Sequence, residues 1–323
     1  MENYIRVDYE KLNNLAVKLL KICPFIPEDR KNILLENYKT YYNVGKYKKA
    51  VIICCDNKYI PKAIVALELF YSYNKDCKKI IICTRHDNNM ELLCASFNIM
   101  VKEVDLNNKF IGIKNQKYPI ECFYHFYVYK LLPEYDYIIQ IEPDIYTNKK
   151  LNIDFENIKY IGCNFSKTML IKNFYPIMKD YNKIKNEFGD GNINQYKQNS
   201  GVKIYNVKGL SNINFYEKIV YYYNKSIEIG AKRMGDDSLF TLYQIYNEKY
   251  IKMFNPEFHI IYYNEIKNYK DITFFHFGGP NQKYWKINKN SNLNLTQKYF
   301  YNKMIKFINN NFEDKFINEN HIL

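Results

Sequence analysis

Short apolar runs alternate with amphipathic stretches through the first half of the chain. Runs bounded by polar residues predict buried strands at Ala50–Cys55, Lys79–Cys83, Met100–Val104 and Tyr137–Ile141. Apolar residues at helical spacing between these runs predict helices at Pro61–Tyr73, Met90–Phe97 and Cys122–Leu132. This alternation predicts an α/β domain whose central sheet is parallel or mixed, with helices on both faces.

The second half of the chain has a less regular pattern and no internal repeat. It predicts strands at Val202–Tyr205 and Thr273–Phe277, and helices at Phe215–Glu228 and Asp236–Tyr246. We therefore expect a helical N-terminal extension at residues 1–48, a main domain at 49–290 and a basic, aromatic helical tail at 291–323. Such a tail more often packs on its own domain, although its composition would also suit a membrane surface or a second subunit.

The charge of the chain bears on its partners. Its 323 residues are enough for one large α/β domain, and 47 Lys and Arg against 34 Asp and Glu give a net charge of +13. A basic protein attracts nucleic acid or phosphorylated small molecules. The basic residues are spread along the chain, which also abounds in Lys, Asn, Ile and Tyr, as AT-rich genomes encode. Nucleic-acid binding therefore stays an alternative, and no nucleic acid is expected as the partner.

Cysteine usage and hydropathy indicate the compartment. None of the eight cysteines forms a CxxC pair, so the sequence indicates neither a zinc ribbon nor a thioredoxin-like motif. The first 20 residues carry charges throughout and lack the apolar core of a signal peptide. No stretch approaches the roughly 20 apolar residues of a transmembrane helix. We expect a soluble, cytoplasmic protein.

Two acidic residues come just after one of the apolar predicted strands. Glu142 and Asp144 come after Tyr137–Ile141, and Asp56 follows the first strand in the same way. Ligands of open α/β sheets bind beyond the carboxyl ends of the strands. Two carboxylates at this position could converge on one divalent cation, which prefers oxygen ligands. The pair alone is also consistent with a solvated turn.

A histidine followed by glycines ends the last predicted strand. In His276-Phe277-Gly278-Gly279, the imidazole could complete a metal site while the glycines let the backbone approach a phosphate closely. Lys283 follows and could reach the same phosphate. Alone, this segment is more typical of a core histidine before an ordinary turn.

Short polar residues beside glycine occur twice in the second half. Asn199-Ser200-Gly201 and Gly235-Asp236-Asp237 could hydrogen-bond sugar hydroxyls, and Asp237 could lie beneath an electron-poor anomeric carbon. The other interpretations are a turn for the first segment and a helix N-cap for Asp236.

In this order, the segments resemble glycosyltransferase family 8, the glycogenin-like retaining enzymes. The resemblance covers about residues 49–286 and implies a single, Rossmann-like GT-A domain with a mixed central sheet. The family's motifs match Ile52–Tyr59, Glu142–Asp144, Asn199–Gly201, Gly235–Asp237, His276–Gly279 and the segment Lys283-Tyr284-Trp285. Trp285 is the one tryptophan of the chain.

The resemblance implies a metal-dependent transfer of a hexose from a UDP-sugar of the glucose, galactose or N-acetylglucosamine type. The acceptor would be a glycan or a protein, the metal Mn²⁺ or Mg²⁺, and the anomeric configuration would be retained. By this resemblance, the metal ligands would be Glu142, Asp144 and His276. The donor would contact Cys55, Asp56, Tyr59, His125, Gly278, Gly279 and Lys283. The catalytic residues would be Asp237, Asp236 and Asn199. A homodimer is compatible with this picture.

The chain departs from the family's pattern at several of these positions. Glu142 replaces the first aspartate, Asp237 replaces a glutamine and Tyr284 replaces a proline. His125 stands where the family has Lys or Arg, although Lys130 is nearby. These changes keep a non-catalytic nucleotide-sugar-binding relative as an alternative. A nucleotidyltransferase fits less well, because the loop after the first predicted strand contains no glycine.

Overall fold

The computed structural model describes residues 47–86, 88–110, 119–231, 234–254, 259–261, 268–278, 283–287, 291, 293–312, 314–319 and 322. The predicted N-terminal extension at 1–48 lies outside these residues except for its last two. Within the described part of the chain, no helix is both long and apolar enough to cross a membrane.

The described strands form two sheets. In chain order they are β1 (Lys49–Cys54), β2 (Cys77–Cys83), β3 (Ile99–Glu103), β4 (Tyr137–Ile141), β5 (Ile145–Thr147), β6 (Ile161–Leu170), β7 (Tyr196–Asn206), β8 (Ile251–Phe254), β9 (His259–Ile261) and β10 (Phe274–His276). The larger sheet has seven strands in the order β3-β2-β1-β4-β7-β6-β8, and the smaller sheet has the order β5-β10-β9.

The larger sheet is mixed, as the sequence predicts. Strands β3, β2, β1 and β4 are parallel to one another, β7 is antiparallel to both β4 and β6, and β8 is parallel to β6. Every residue of β2 and β4 is buried. Strands covered on both faces read as continuous apolar runs, which explains why these strands are visible in the sequence.

Helices cover the sheet. They are α1 (Ile60–Tyr73), α2 (Asn88–Ser96), α3 (Val128–Leu131), α4 (Tyr175–Met178), α5 (Tyr181–Phe188), α6 (Val207–Asn212), α7 (Phe215–Glu228), α8 (Asp236–Asn247), α9 (Leu295–Asn311) and α10 (Asp314–Glu319). Successive strand residues point to opposite faces. Accordingly, Ile52 joins a buried cluster with residues of α7 and α8, whereas Ile53 joins a second cluster with residues of α1, α9 and α10.

The C-terminal tail contributes to the second cluster. Phe300, Met304 and Ile308 of α9 are fully buried, and the ring of Phe300 stacks on that of Phe275 in β10 with centroids 4.4 Å apart. The capping box of α9, in which Asn294 and Gln297 exchange hydrogen bonds with each other's backbone, fixes where the helix begins. The tail therefore packs against the small sheet.

Two predicted elements are wrong in type or extent. The segment predicted as a helix at Cys122–Leu132 is a 3₁₀ helix at Ile120–Phe126 followed by the single turn of α3. Its consecutive residues 123–126 are all buried, a pattern that an amphipathic α-helix does not produce. Strand β7 begins at Tyr196 instead of Val202, because its polar first half pairs with β6. Asn199-Ser200-Gly201 thus lies within a strand and is not a turn.

Candidate functional site

A cavity of about 350 Å³ opens where β1 and β4 end. Its wall includes the residues that directly follow these strands, among them Asp56 and Glu142. Other parts of the wall come from distant segments of the chain, which contribute His125, Asp236 and Lys283. The carboxyl ends of parallel strands are the usual place for a ligand in such a sheet. This cavity is therefore the candidate site.

Backbone hydrogen bonds hold the acidic pair in place. The amide of Glu142 donates to the carbonyl of Gly201 at 3.1 Å, which ties the end of β4 to β7. A tight turn follows, in which the amide of Ile145 donates to the carbonyl of Glu142 at 3.1 Å. The turn brings both carboxylates, of Glu142 and Asp144, to the cavity wall.

Pairing within the small sheet brings His276 to this acidic pair. His276 in β10 pairs with Ile145 in β5, and the amide of Phe277 donates to the carbonyl of Asp144 at 3.0 Å. The Nε2 atom of His276 consequently lies 3.0 Å from Oε2 of Glu142 and 3.2 Å from Oδ2 of Asp144.

These three side chains could hold a metal ion. One donor atom from each lies within 4.8 Å of the others, and among the described residues this is the single such group of three or more. Mn²⁺ binds readily to both carboxylate oxygens and an imidazole nitrogen. Mg²⁺ prefers oxygen ligands, which the two carboxylates supply. The donor set thus fits the metal that the sequence resemblance implies.

Strong electrostatic coupling marks the same group. Burial opposes the charged form of His276, but the carboxylates of Asp144 and Glu142 outweigh it and raise its pKa to about 9. Burial would raise the pKa of Asp144, yet His276 and Lys283 hold that pKa well below its usual range. Burial would lower the pKa of Lys283, but Asp144 and Glu142 raise it. Like and opposite charges packed so closely are typical of functional sites.

Aromatic rings form another part of the cavity wall. Tyr59 and Trp285 both line it, with an edge-on ring contact whose centroids are 6.0 Å apart. Tyr59 ends the 3₁₀ turn Asn57–Tyr59, and its amide donates to the carbonyl of Asp56 at 3.0 Å. Cys55 and Asp56 line the cavity beside them.

His125 and Asp236 lie together in another part of the cavity wall. His125 is buried, with Nδ1 2.7 Å from the hydroxyl of Tyr205 and Nε2 3.7 Å from Oδ2 of Asp236. Burial, aided by the charge of Lys203, lowers the pKa of His125 well below its usual value, so the imidazole is neutral. Burial raises the pKa of Asp236 to about 6, although Lys203 opposes the shift.

Asp237 has a different environment from its neighbour. Its Oδ1 accepts hydrogen bonds from Nζ of Lys197 at 2.8 Å and from Nε2 of Gln198 at 3.0 Å. Of the two adjacent aspartates, only Asp236 lines the cavity. Both begin helix α8, where carboxylates interact favourably with the helix dipole.

The remaining predicted site residues lie at varying distances from the cavity. Asn199 is in β7 opposite Asn164 of β6. Gly278 lies beside the His276 imidazole, since a Cβ at this position would be 3.4 Å from its Nε2. Gly279 is outside the described residues. Lys130, the alternative to His125, contacts Glu217 of α7 and is absent from the described cavity wall.

Some residues at the site were not predicted. Gln140 and Glu121 line the cavity, and Trp285 was noted only as part of a motif. Lys203 is almost fully buried in β7, at the position opposite Gln140 in the neighbouring strand β4. A polar residue within an otherwise apolar strand was the available signal for both Gln140 and Lys203, because burying such a residue needs a compensating interaction.

Comparisons with known proteins give a likeness in structure alone. No protein-family profile matches the chain, and no curated protein sequence matches it. Its structure is similar to that of the galactosyltransferase LgtC in an active-site mutant, with a TM-score of 0.58 and 14% sequence identity, covering 80% of this chain and 95% of LgtC.

Two further solved structures are similar. The bifunctional glycosyltransferase WbbM gives a TM-score of 0.55 at 14% identity, covering 83% of this chain and 50% of WbbM. The glycosyltransferase GlyE of Streptococcus pneumoniae gives a TM-score of 0.52 at 13% identity, covering 81% of this chain and 62% of GlyE. The chain therefore has the GT-A glycosyltransferase fold that the sequence predicts.

Proposed function

We propose that this protein is a metal-dependent glycosyltransferase that takes a hexose from a UDP-sugar. The observation that carries the proposal is the convergence of Glu142, Asp144 and His276 within 4.8 Å at a cavity beyond the carboxyl ends of β1 and β4. On a GT-A fold, this is the place where a nucleotide-sugar and its metal would bind.

The polar wall of the cavity suits a diphosphate. Glu142, Asp144 and His276 would hold Mn²⁺ or Mg²⁺, which when bound supplies Lewis-acid stabilisation of the departing UDP. Lys283 lines the same wall and provides a cationic donor for a phosphate oxygen. Gly278, beside His276, and Gly279 would let a phosphate approach the backbone.

Two groups of side chains in the cavity wall would receive the two ends of the donor. The rings of Tyr59 and Trp285 offer flat apolar surface for the base, with Cys55 and Asp56 beside them. In the second group, ionised Asp236 would accept hydrogen bonds from sugar hydroxyls, and neutral His125 would orient the sugar without adding charge. On this proposal the anomeric carbon would lie near both the metal ion and Asp236.

Asp237 and Asn199 remain part of the proposal through the family resemblance. To lie beneath the anomeric carbon, Asp237 would have to exchange its contacts with Lys197 and Gln198 for the sugar. There a carboxylate would stabilise the positive charge that develops at the anomeric carbon. From the family resemblance we further propose that the sugar is transferred to a glycan or protein acceptor with retention of its anomeric configuration.

The test is release of the nucleoside diphosphate, UDP or GDP, by the purified protein. A panel of UDP-glucose, UDP-galactose, UDP-N-acetylglucosamine and GDP-mannose is incubated with Mn²⁺, with Mg²⁺ or with a chelator. We expect metal-dependent release of UDP from at least one donor. Asp144→Asn should abolish it, whereas Asp190→Asn, at a side chain that is 80% exposed, should leave it unchanged.

The outcomes separate the alternatives. Absence of both turnover and metal-dependent UDP binding across the panel would contradict the proposed function. Metal-dependent UDP binding without release from any donor would indicate the non-catalytic relative. Salt-sensitive binding to oligonucleotides without UDP binding would indicate a nucleic-acid-binding protein.

A further inference from the structure

Lys283 and the metal ligand Asp144 share a contact at a single oxygen atom. The ammonium of Lys283 donates a hydrogen bond to Oδ2 of Asp144. The same Oδ2 lies 3.2 Å from Nε2 of His276. It is therefore the oxygen that faces His276 in the proposed metal site.

A metal ion and Lys283 would compete for this oxygen in its present geometry. A bound Mg²⁺ or similar ion lies about 2 Å from its carboxylate oxygen, and an ammonium donor lies about 2.8 Å away. The two cations would then be a few ångströms apart, next to an Asp144 side chain that is only 2% exposed. Water screens charges poorly in such a place, so their repulsion is strong.

The charges of the site indicate where Lys283 goes. The carboxylates of Glu142 and Asp144 can neutralise one divalent ion, and this leaves the ammonium of Lys283 without a counter-charge. A diphosphate bound to the ion supplies that charge. The Lys283 side chain is 25% exposed and lines the cavity, so it has room to turn from Asp144 towards a ligand.

We propose that Lys283 is a positioning residue that couples the binding of metal to the binding of nucleotide. Its ammonium contacts the Asp144 carboxylate in the absence of metal and moves to the diphosphate when metal and nucleotide are both bound. The inference rests on the proposed function. Its consequence is that the metal binds weakly alone and more tightly with UDP, and by linkage UDP binds more tightly with metal.

The test is calorimetric titration of metal-stripped protein with Mn²⁺, without UDP and at saturating UDP. For the unmodified protein, we expect UDP to tighten Mn²⁺ binding by about tenfold or more, within the usual range of coupling between two sites. For Lys283→Met, Mn²⁺ alone should bind about tenfold more tightly than to the unmodified protein, because no ammonium competes. UDP should tighten Mn²⁺ binding less than in the unmodified protein, because only the direct contact between the ion and the diphosphate remains.

Controls make the result specific. Lys286→Met removes an exposed lysine from the same segment and should behave as the unmodified protein. Lys283→Gln, which also lacks the charge, should reproduce the methionine variant and replaces it if that variant does not fold.

Two results would overturn the inference. If the uncharged variants bind Mn²⁺ no more tightly than the unmodified protein and keep its full response to UDP, the coupling role is wrong while the proposed function stands. If the unmodified protein binds no Mn²⁺ with or without UDP, the proposed function and the coupling fail together.

Discussion

At the scale of single residues, the site depends on environment more than on residue type. Asp236 and Asp237 are adjacent and chemically identical, yet only Asp236 lines the cavity. Burial raises the pKa of Asp236 to about 6, whereas Asp237 forms an ion pair with Lys197. Sequence alone cannot distinguish the two, because the difference arises from the start of α8 and its neighbours in β7.

The pH dependence of turnover should report Asp236. In the proposed function, its ionised carboxylate would accept hydrogen bonds from sugar hydroxyls, so we expect the rate at saturating metal and donor to fall as the pH drops through about 6. Asp236→Asn should lower the rate at neutral pH by about a hundredfold and remove this acidic limb. The measurement is a pH–rate profile. An unchanged acidic limb in Asp236→Asn would assign the titration to another group.

The stability of the metal-free protein should depend on the protonation of His276. Its pKa is about 9 in the folded protein, against about 6.5 for an unperturbed histidine, so the protonated form favours folding. This contribution is complete below about pH 6.5 and is lost as the pH rises through about 9. Urea unfolding in the presence of a chelator should therefore show the stability difference between the unmodified protein and His276→Gln shrinking over that interval. A difference that stays constant would contradict the ion pairs seen here.

At the scale of secondary-structure elements, the position of His276 depends on the packing of β10 against its neighbours. The three-residue strand pairs with β5 on one side and β9 on the other, and Phe275 stacks on Phe300 of α9. Such a short strand has few hydrogen bonds of its own. Its position therefore relies on the buried face of α9, which links the tail of the chain to the proposed metal site.

Truncation of Phe300 tests this link. Phe300→Ala removes a fully buried ring and should destabilise the protein by about 3–5 kcal/mol. It should also weaken Mn²⁺ binding, because β10 loses the ring on which Phe275 rests. Chemical unfolding and Mn²⁺ titration measure the two effects, and Asn302→Ala, at an exposed position of α9, is the control. Full Mn²⁺ affinity in Phe300→Ala would mean that α9 does not position His276.

Strands buried on both faces were predictable from hydrophobic patterning, and a strand segment of polar residues was not. Each of β1, β2 and β4 contains a run of at least three apolar residues. The first half of β7 is polar, and hydrophobic patterning does not detect it. The end of β4 identified Glu142 and Asp144, but their contact with His276 arises from the pairing of β5 with β10, which local patterns do not encode. Only the order of motifs along the chain indicated that His276 belongs to the same site as Glu142 and Asp144.

At the scale of the whole molecule, the fold and the site support each other. The larger sheet positions the carboxyl ends of β1 and β4 at one cavity, and the small sheet delivers a histidine to it. The net charge of +13 is consistent with an anionic substrate, which a UDP-sugar would be. Solved structures of similar fold are glycosyltransferases, so the fold permits the proposed chemistry, while the site residues must carry it.

The most direct test of the account is anomalous diffraction from crystals grown with Mn²⁺ and UDP. We predict a manganese peak about 2 Å from donor atoms of Glu142, Asp144 and His276, with the diphosphate of UDP bound to the same ion in the cavity. A crystal in which UDP and manganese are both bound elsewhere, with no peak among these three side chains, would contradict it.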